Sequence, residues 1–262
     1  MTDRFVLDAQ TRAPGGATSA YAVGAQNGLL IDPADRAAEL DEAVADRVDH
    51  VAVTHYHPDH VGAVEHYAEE FDLTLWARYG REDAFAAATG CVPDRVFLPG
   101  ETIPAAGGVP VMDTPGHAPE HVAFGVDDGL VTGDLAVAAG SVVVGGPDGD
   151  MRAYLGSLRR VHARAPNRLY PGHGPVIESP RETCKRLIDH RLDREQTVLA
   201  AVESGAETPD EIVEAAYEKD VSDVYDLARA TVVAHLDKLA VEYRIRWDGE
   251  RAVPASRLSC RD

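Results

Sequence analysis

Apolar residues recur along the chain in two alternating patterns. Short apolar runs predict strands at residues 19–23, 29–32, 48–53 and 73–77, and apolar positions at helical spacing predict helices at 36–45, 62–71, 81–89 and 151–164. Residues 96–132 show mostly short strands and turns. Because strands and helices interleave, we expect an α/β fold.

The pattern changes near residue 178, where helix signals dominate. Capping boxes at residues 179–182 and 208–211 predict two helix starts, and apolar spacing predicts a third helix over residues 223–242. An Asp-Gly pair at 248–249 between two short apolar runs predicts a closing hairpin. We therefore expect a catalytic domain over residues 1–178 and a small helical, winged-helix-like domain over residues 179–262.

Composition adds limits on class and compartment. The 262 residues are 45% hydrophobic, which is enough for a sizeable core, and no apolar run approaches the length of a membrane span. The first residues lack a basic start followed by an apolar core, so no secretory signal is expected. Three scattered cysteines do not form a disulfide framework, which predicts a reduced, cytoplasmic setting.

The charge balance is strongly acidic. The formal net charge is −19, with only three lysines against 22 arginines. An Asp-rich, Lys-poor surface favours work at high salt, where ions screen self-repulsion, over the alternative of an acidic protein from a GC-rich genome. Either way, the surface opposes simple electrostatic capture of nucleic acid or anionic lipid, so no membrane partner is expected.

Candidate chemistry concentrates in one short run that follows the predicted strand 48–53. Four potential metal ligands fall within residues 54–60: His55, His57, Asp59 and His60. Alternate side chains of an extended segment share a face, so His55 and His57 can converge on one ion. Asp59 and His60 lie where the chain turns toward the next helix and can face a second ion.

Three more strand ends carry a potential ligand beside glycine. They are His117, Asp134 and His173. Glycine at such places permits tight backbone and close approach to a site. One His-Gly pair is weak evidence of a metal site, whereas four such strand-end clusters in one chain are strong evidence.

The order His-x-His-x-Asp-His, then a later His, Asp and His, resembles the metallo-β-lactamase-fold hydrolases over residues 17–178. The resemblance implies an αββα sandwich with its ligands at one edge of two packed sheets. It also implies that His55, His57 and His117 hold a first metal, that Asp59, His60 and His173 hold a second, and that Asp134 bridges them.

The resemblance further implies a hydroxide shared by two divalent metals, with Asp59 both ligating and steering the proton of the nucleophile. The His-rich ligand set favours zinc and leaves iron and manganese open. We expect hydrolysis of a small ester or thioester. The beta-lactamase-like protein 2 branch, which the whole chain resembles most, implies cleavage of single-stranded RNA instead. An iron-dependent persulfide dioxygenase needs one metal and uses fewer ligands, so the complete second set of ligands disfavours that activity.

Several residues near the motif are assigned roles outside the set of metal ligands. Asp32 ends a predicted strand and is expected to hydrogen-bond a ligand histidine or its loop, as the resemblance implies. His121 either contacts the site or packs in a strand, and Tyr56 either lines the pocket or packs beneath it. The loop 145–150 is either a substrate lid or a surface connection.

The C-terminal region has 13 basic and 18 acidic residues, so it too is acidic. Within it, the hairpin region is basic, with Arg244, Arg246, Arg251 and Arg257. We favour a structural role or homodimer formation for this region over contact with RNA or substrate.

Overall fold

The computed structural model describes residues 1–13, 15–217 and 220–255. The first of its two large sheets has six strands side by side in chain order: β1 (Thr2–Asp8), β2 (Ala17–Val23), β3 (Gly28–Ile31), β4 (Val48–Ala52), β5 (Thr74–Arg78) and β6 (Arg95–Phe97). β1 to β3 are antiparallel, and β3 to β6 are parallel. The parallel strands are connected by α1 (Ala38–Arg47), α2 (Pro58–Val61), α3 (Val64–Glu70) and α4 (Glu82–Thr89).

The second sheet has five strands: β7 (Thr102–Ile103), β8 (Val109–Asp113), β9 (Val122–Val126), β10 (Gly129–Gly133) and β11 (Arg168–Pro171). They lie in the order β11-β10-β9-β8-β7, and only β10 and β11 are parallel. The helix α5 (Met151–Arg164) makes the crossover between that parallel pair. Asp150 caps α5 by accepting hydrogen bonds from the amides of Arg152 and Ala153.

Alternation of side chains along the strands separates the cores. In β2, Tyr21 and Val23 pack between the sheets, whereas Ala20 and Ala22 pack under α1 and α3. A third core joins Leu130 on the outer face of the second sheet to α5 and to the helix that follows β11. The layers therefore run helix, sheet, sheet, helix, as the resemblance noted in the sequence implies.

The C-terminal region consists of α6 (Pro180–Glu203), α7 (Pro209–Ala216), α8 (Tyr225–Val241) and a hairpin of β12 (Ile245–Trp247) and β13 (Ala252–Pro254). The predicted order of three helices and a hairpin is confirmed. Cys184 and Leu187 of α6 share the core of α5, whereas Val198 and Val202 join a separate core with α7 and α8. The winged-helix identity and the division at residues 178 and 179 stay predictions, and Arg257 lies outside the described residues.

Two local predictions are corrected. The helix expected over residues 62–71 is α3, which begins two residues later at Val64, because the amide of Ala63 donates to the carbonyl of Pro33 at 2.9 Å and not to the preceding turn, α2. The capping box expected at Ser179 does not form. Ser179 has ψ 69°, outside the extended range that aims a cap side chain at the helix amides, whereas Thr208, at ψ 154°, forms its predicted box with Glu211.

In the part of the chain that the structure describes, no helix combines the length and the apolar character needed to cross a membrane.

Candidate metal centre

The predicted metal-binding residues lie just beyond the C-terminal ends of strands in both sheets. His55 follows β4 of the first sheet, and Asp134 and His173 follow the parallel strands β10 and β11 of the second. His117 lies in the loop between β8 and β9. Because the two sheets pack face to face, these ends meet at one edge, and all seven predicted side chains gather there.

The first group contains three imidazoles. His57 Nδ1 lies 3.1 Å from His55 Nε2 and 2.9 Å from His117 Nε2. The potential ligand atoms of all three residues lie within 4.8 Å of one another. These three ring nitrogens lie close enough together to bind one cation, which is the arrangement of a three-histidine metal site.

The second group contains Asp59, His60 and His173, whose potential ligand atoms also lie within 4.8 Å of one another. His173 Nε2 is 3.6 Å from Asp59 Oδ2. His60 and His173 are almost fully buried, whereas the side chain of Asp59 is 18% exposed. The second group therefore has its open side at Asp59.

Asp134 lies between the two groups, with one carboxylate oxygen toward each. Its Oδ2 is 3.5 Å from His117 Nε2 of the first group. Its Oδ1 is 3.4 Å from His60 Nε2 and 3.3 Å from His173 Nε2 of the second. This is the placement that a bridging carboxylate needs.

The residues fit metal ions in both spacing and chemistry. Ligands about 2.0–2.1 Å from a tetrahedral zinc ion lie about 3.3 Å apart, close to the separations seen here. His60 Nε2 and Asp134 Oδ1 are buried and have no hydrogen-bond partner among the described residues. A buried polar atom without a partner costs free energy, and a cation held between these two groups removes that cost.

Four of the histidines direct Nε2 inward because Nδ1 is held from outside. The Nδ1 partners are Thr54 Oγ1 for His55 at 3.0 Å, Asp32 Oδ2 for His60 at 3.0 Å, the Val143 carbonyl for His117 at 2.7 Å and the Ala17 carbonyl for His173 at 2.9 Å. Such outer contacts fix the tautomer and orientation of a ligating imidazole.

Asp32 has the role predicted for it. Its carboxylate accepts hydrogen bonds from the amide and hydroxyl of Thr54, at 2.6 and 2.7 Å, and contacts His60 Nδ1. Its backbone lies in the left-handed region, with φ 55°, which Asp tolerates better than most residues. One buried carboxylate thus orients a loop and an imidazole together.

The electrostatics separate the histidines into two kinds. Burial keeps the pKa of His55 well below its usual range, so its imidazole stays neutral. Burial also opposes the charged form of His60, but the carboxylates of Asp32 and Asp134 outweigh it and raise the pKa of His60. Burial likewise opposes ionisation of Asp134, and His60 and His173 outweigh it, so the pKa of Asp134 is lowered and the carboxylate is charged.

His121 is buried beside the centre and contacts the backbone of Asp134. Burial lowers its pKa to about 3, so the imidazole is neutral. Its Nδ1 lies 2.8 Å from Thr114 Oγ1, and its Nε2 accepts a hydrogen bond from the amide of Asp134 at 3.2 Å. Of the two roles considered from the sequence, contact with the site is the one observed.

Tyr56 and Cys91 lie away from the ligand cluster. Tyr56 packs edge-on against Phe85 of α4, and its hydroxyl accepts from the amide of Arg78, so it packs beneath the site. Burial raises the pKa of the half-buried Cys91 thiol, which disfavours its reactive thiolate form.

Sequence reasoning gives no role to Tyr154, which the structure places beside the centre. Its hydroxyl donates to the carbonyl of Leu135 at 2.8 Å, one residue after Asp134. Its backbone also packs against Gly116, where an added Cβ would lie 2.2 Å from the Tyr154 nitrogen. Nothing in the sequence around Tyr154 distinguishes it from an ordinary inward position of an amphipathic helix.

A helix–sheet–sheet–helix sandwich with clustered histidines and aspartates at the sheet edge defines a class of metal-binding hydrolases. The family model of the metallo-beta-lactamase superfamily matches residues 13–173, and the chain belongs to this superfamily. Its activity class is hydrolytic.

Two curated relatives are similar over most of their length. A beta-lactamase-like protein 2 homolog of Drosophila melanogaster is 29% identical over 253 residues, covering 87% of this chain and 84% of the relative. An atrochrysone carboxyl ACP thioesterase of Aspergillus fumigatus is 29% identical over 243 residues, covering 83% and 73%.

Solved structures show the same fold. A metallo-beta-lactamase family protein from Thermus thermophilus has a TM-score of 0.74 at 22% identity and covers 96% of this chain and 98% of its own. A second protein, solved in a di-iron-bound form, has a TM-score of 0.53 at 29% identity and covers 66% of this chain and 95% of its own. The first likeness includes the C-terminal region.

Proposed function

We propose that the protein is a binuclear metal-dependent hydrolase that cleaves an ester or thioester bond of a small substrate. The observation that carries the binuclear part is the position of Asp134, whose two oxygens face different groups of histidines. A single ion would contact only one of the two groups, so either the group with His57 or the group with Asp59 would bind no metal.

The seven residues divide the work of holding the ions. His55, His57 and His117 would hold the first, Asp59, His60 and His173 would hold the second, and Asp134 would serve both. Two divalent ions held there supply Lewis acidity and lower the pKa of water to about 7. Asp32 and Thr54 keep His60 and His55 oriented for this task.

The partly exposed residues mark where substrate enters. His57 and Asp59 are the least buried of the seven residues, and each belongs to a different group. An electrophilic carbonyl that approaches between them meets a carboxylate, Asp59, that accepts and steers a proton. His60 and Asp134 lie deeper and exclude bulk water from the other side.

Zinc is the proposed metal because five of the seven ligands are imidazoles. Iron is the alternative that a specific observation favours, since a similar protein has been solved in a di-iron-bound form. Metal analysis of the purified protein separates the two.

An ester or thioester is the proposed substrate for two reasons. The thioesterase of A. fumigatus is similar across most of this chain. The net charge of −19 also opposes a polyanion, while a neutral acyl compound meets no such penalty.

Single-stranded RNA is the alternative substrate, and the arginines of the terminal hairpin are the feature that favours it. One of them, Arg251, is already paired with Glu207 at 2.6 Å, which reduces the positive charge that the hairpin offers to a phosphate. Arg246 and Trp247 border an open cavity beside that pair, of about 500 Å³.

A substrate panel tests the proposal. Purified wild type and His57→Ala are assayed in molar KCl with acyl thioesters, aryl esters and single-stranded RNA. We expect thioester or ester turnover in wild type that disappears in His57→Ala. RNA cleavage that disappears in the variant, with no ester or thioester turnover, would establish the alternative instead.

We propose that the acidic surface is an adaptation to high salt. The stability of the folded protein is then expected to rise with ionic strength. Added salt weakens exposed ion pairs such as Arg12–Asp226, but solvent already screens such pairs, so little stability is lost with them. Screening relieves the repulsion among the excess negative charges, and each 1 kcal/mol gained raises Tm by about 2–4 °C. Thermal unfolding from dilute buffer to molar KCl, with sucrose as an uncharged control, measures this. A flat or falling curve contradicts the adaptation.

A cytoplasmic location and a homodimer formed through the C-terminal region are further proposals. Burial of apolar side chains such as Val241 and Tyr243, which are exposed in the single chain, would support a dimer. Light scattering of the purified protein in molar KCl tests it.

A further inference from the structure

Residues 137–143 form a loop between the metal centre and the C-terminal helices. On its inner side, the carbonyl of Val143 lies 2.7 Å from His117 Nδ1 and sets the orientation of that imidazole. On its outer side, the guanidinium of Arg191 donates to the carbonyl of Val142, the neighbouring residue. Arg191 belongs to α6 and is only 3% exposed.

Arg191 also reaches the centre by a second route. Its guanidinium carbon lies 5.6 Å from the centre of the Tyr154 ring. The Tyr154 hydroxyl holds the carbonyl of Leu135, next to Asp134, and the Tyr154 backbone packs against Gly116. The Arg191 side chain therefore contacts both the loop that orients His117 and the tyrosine that holds the residue after Asp134.

A second arginine of the same helix holds the earlier part of the loop. Arg186 donates to the carbonyls of Gly140 at 2.7 Å, Val137 at 2.8 Å and Ala138 at 3.1 Å. Four loop carbonyls are thus bound by two arginines of α6. A loop with this many fixed carbonyls has little freedom to change the direction of the Val143 carbonyl.

The helix that carries these arginines is itself anchored. Glu195, one turn after Arg191, pairs with Lys238 of α8 at 2.6 Å in a buried position. Two residues beyond the loop, Gly145 packs against Ala230 of α8, whose carbonyl oxygen would lie 2.5 Å from an added Cβ. The loop is therefore enclosed between α6 and α8.

We propose that Arg191 is a positioning residue for the metal centre, so that the C-terminal helices set the geometry of His117 and Asp134. This inference rests on the proposed metal centre and goes beyond it. It assigns to the C-terminal region a task inside the catalytic machinery, separate from RNA binding or dimer formation. A buried arginine that only stabilises packing is the alternative.

The chain offers a matched control on the same helix. Arg194 also donates to a backbone carbonyl, that of Ala216, and its guanidinium carbon lies 3.8 Å from the centre of the Tyr217 ring. Arg194 thus repeats the contacts of Arg191 but directs them toward α7, away from the loop. Arg191→Met and Arg194→Met remove the same chemical group from two sites that differ in their connection to the centre.

Cobalt(II) titration of metal-free protein provides the measurement, because the visible absorption of bound cobalt reports its coordination geometry. We expect Arg191→Met to bind cobalt about 10–100-fold more weakly and with an altered spectrum. Arg194→Met should keep the wild-type affinity and spectrum. Melting curves of the metal-free proteins record the packing loss that both variants share.

The outcomes separate this inference from the proposed function. Wild type that binds no cobalt overturns the metal centre and the inference together. Wild-type affinity and spectrum in Arg191→Met, or an equal loss in Arg194→Met, overturns the inference alone. Should Arg191→Met not fold, Arg191→Lys replaces it, since lysine keeps the charge and loses the planar group that both stacks and donates. An altered cobalt spectrum in that variant supports the inference, and an unaltered one overturns it.

Discussion

Replacement of Asp134 by alanine is expected to abolish hydrolysis and to reduce the number of metal ions bound per chain. Asp134 is the carboxylate that faces both groups of histidines, with oxygens 3.3–3.5 Å from His60, His117 and His173. Its removal leaves the buried imidazole nitrogens without the negative charge that helps them to hold a cation. We expect kcat/KM to fall at least about a thousandfold, which corresponds to about 4 kcal/mol of lost transition-state stabilisation. Turnover assays and metal analysis on the same preparation measure both effects.

His162→Ala serves as the control for this prediction. His162 lies two turns beyond Tyr154 on α5, about 12 Å further along the helix axis. It should keep its activity and metal content, so a loss confined to Asp134→Ala reflects the centre. An Asp134→Ala protein with wild-type turnover and full metal content would show that the binuclear proposal is wrong.

Several candidate ligands can be predicted from sequence because they closely follow a strand end. A histidine or aspartate that follows an apolar run lies at the edge of a sheet, and parallel strands bring their C-terminal ends to the same edge. His55, Asp134 and His173 all follow this rule. Asp32 follows it too, which is why its contact with His60 could be expected.

The supports of the centre obey no comparable local rule. Arg191 and Tyr154 are inward positions of long helices, and their partners, Val142 and Leu135, contribute only backbone carbonyls. A carbonyl carries no sequence signal, so the contact depends on how helices and loop pack in three dimensions. The edge strand β1 is missed for a related reason, since residues 2–8 are largely half-buried or exposed and show no long apolar run.

The C-terminal region shows the same limit. Its helices and hairpin follow from capping residues and a turn signal, but the sequence does not show that α6 serves two cores. Leu187 packs with α5, and Val202, four turns later, packs with α7 and α8. A boundary placed at the start of α6 therefore cuts between residues that share a core, which is consistent with the role proposed for Arg191.

Gly172→Ala is expected to disrupt metal binding although it adds only one methyl group. A Cβ at this position would lie 2.5 Å from His60 Cε1 and 2.9 Å from Asp134 Oδ1. His60 has no room to retreat, because its Nδ1 is held by the buried carboxylate of Asp32. We expect affinity for the second metal to fall at least about tenfold, as for loss of a contact that orients a ligand, and the metal-free protein to lose about 1–3 kcal/mol from overpacking. Cobalt titration and chemical denaturation of the metal-free protein provide the two measurements.

Gly156→Ala is the matched control, since it makes the same substitution within α5. The nearest side chain to its added Cβ is that of Arg160, whose Nη1 lies 3.8 Å away in ordinary van der Waals contact, so the methyl group meets no clash. Alanine in a helix interior is favoured over glycine by about 0.5–1 kcal/mol, so this variant should be slightly more stable than wild type and bind metal normally. If Gly172→Ala instead binds both metals with wild-type affinity, His60 and Asp134 move more freely than their buried contacts indicate. The second group would then not be the preorganised site that the proposed mechanism requires.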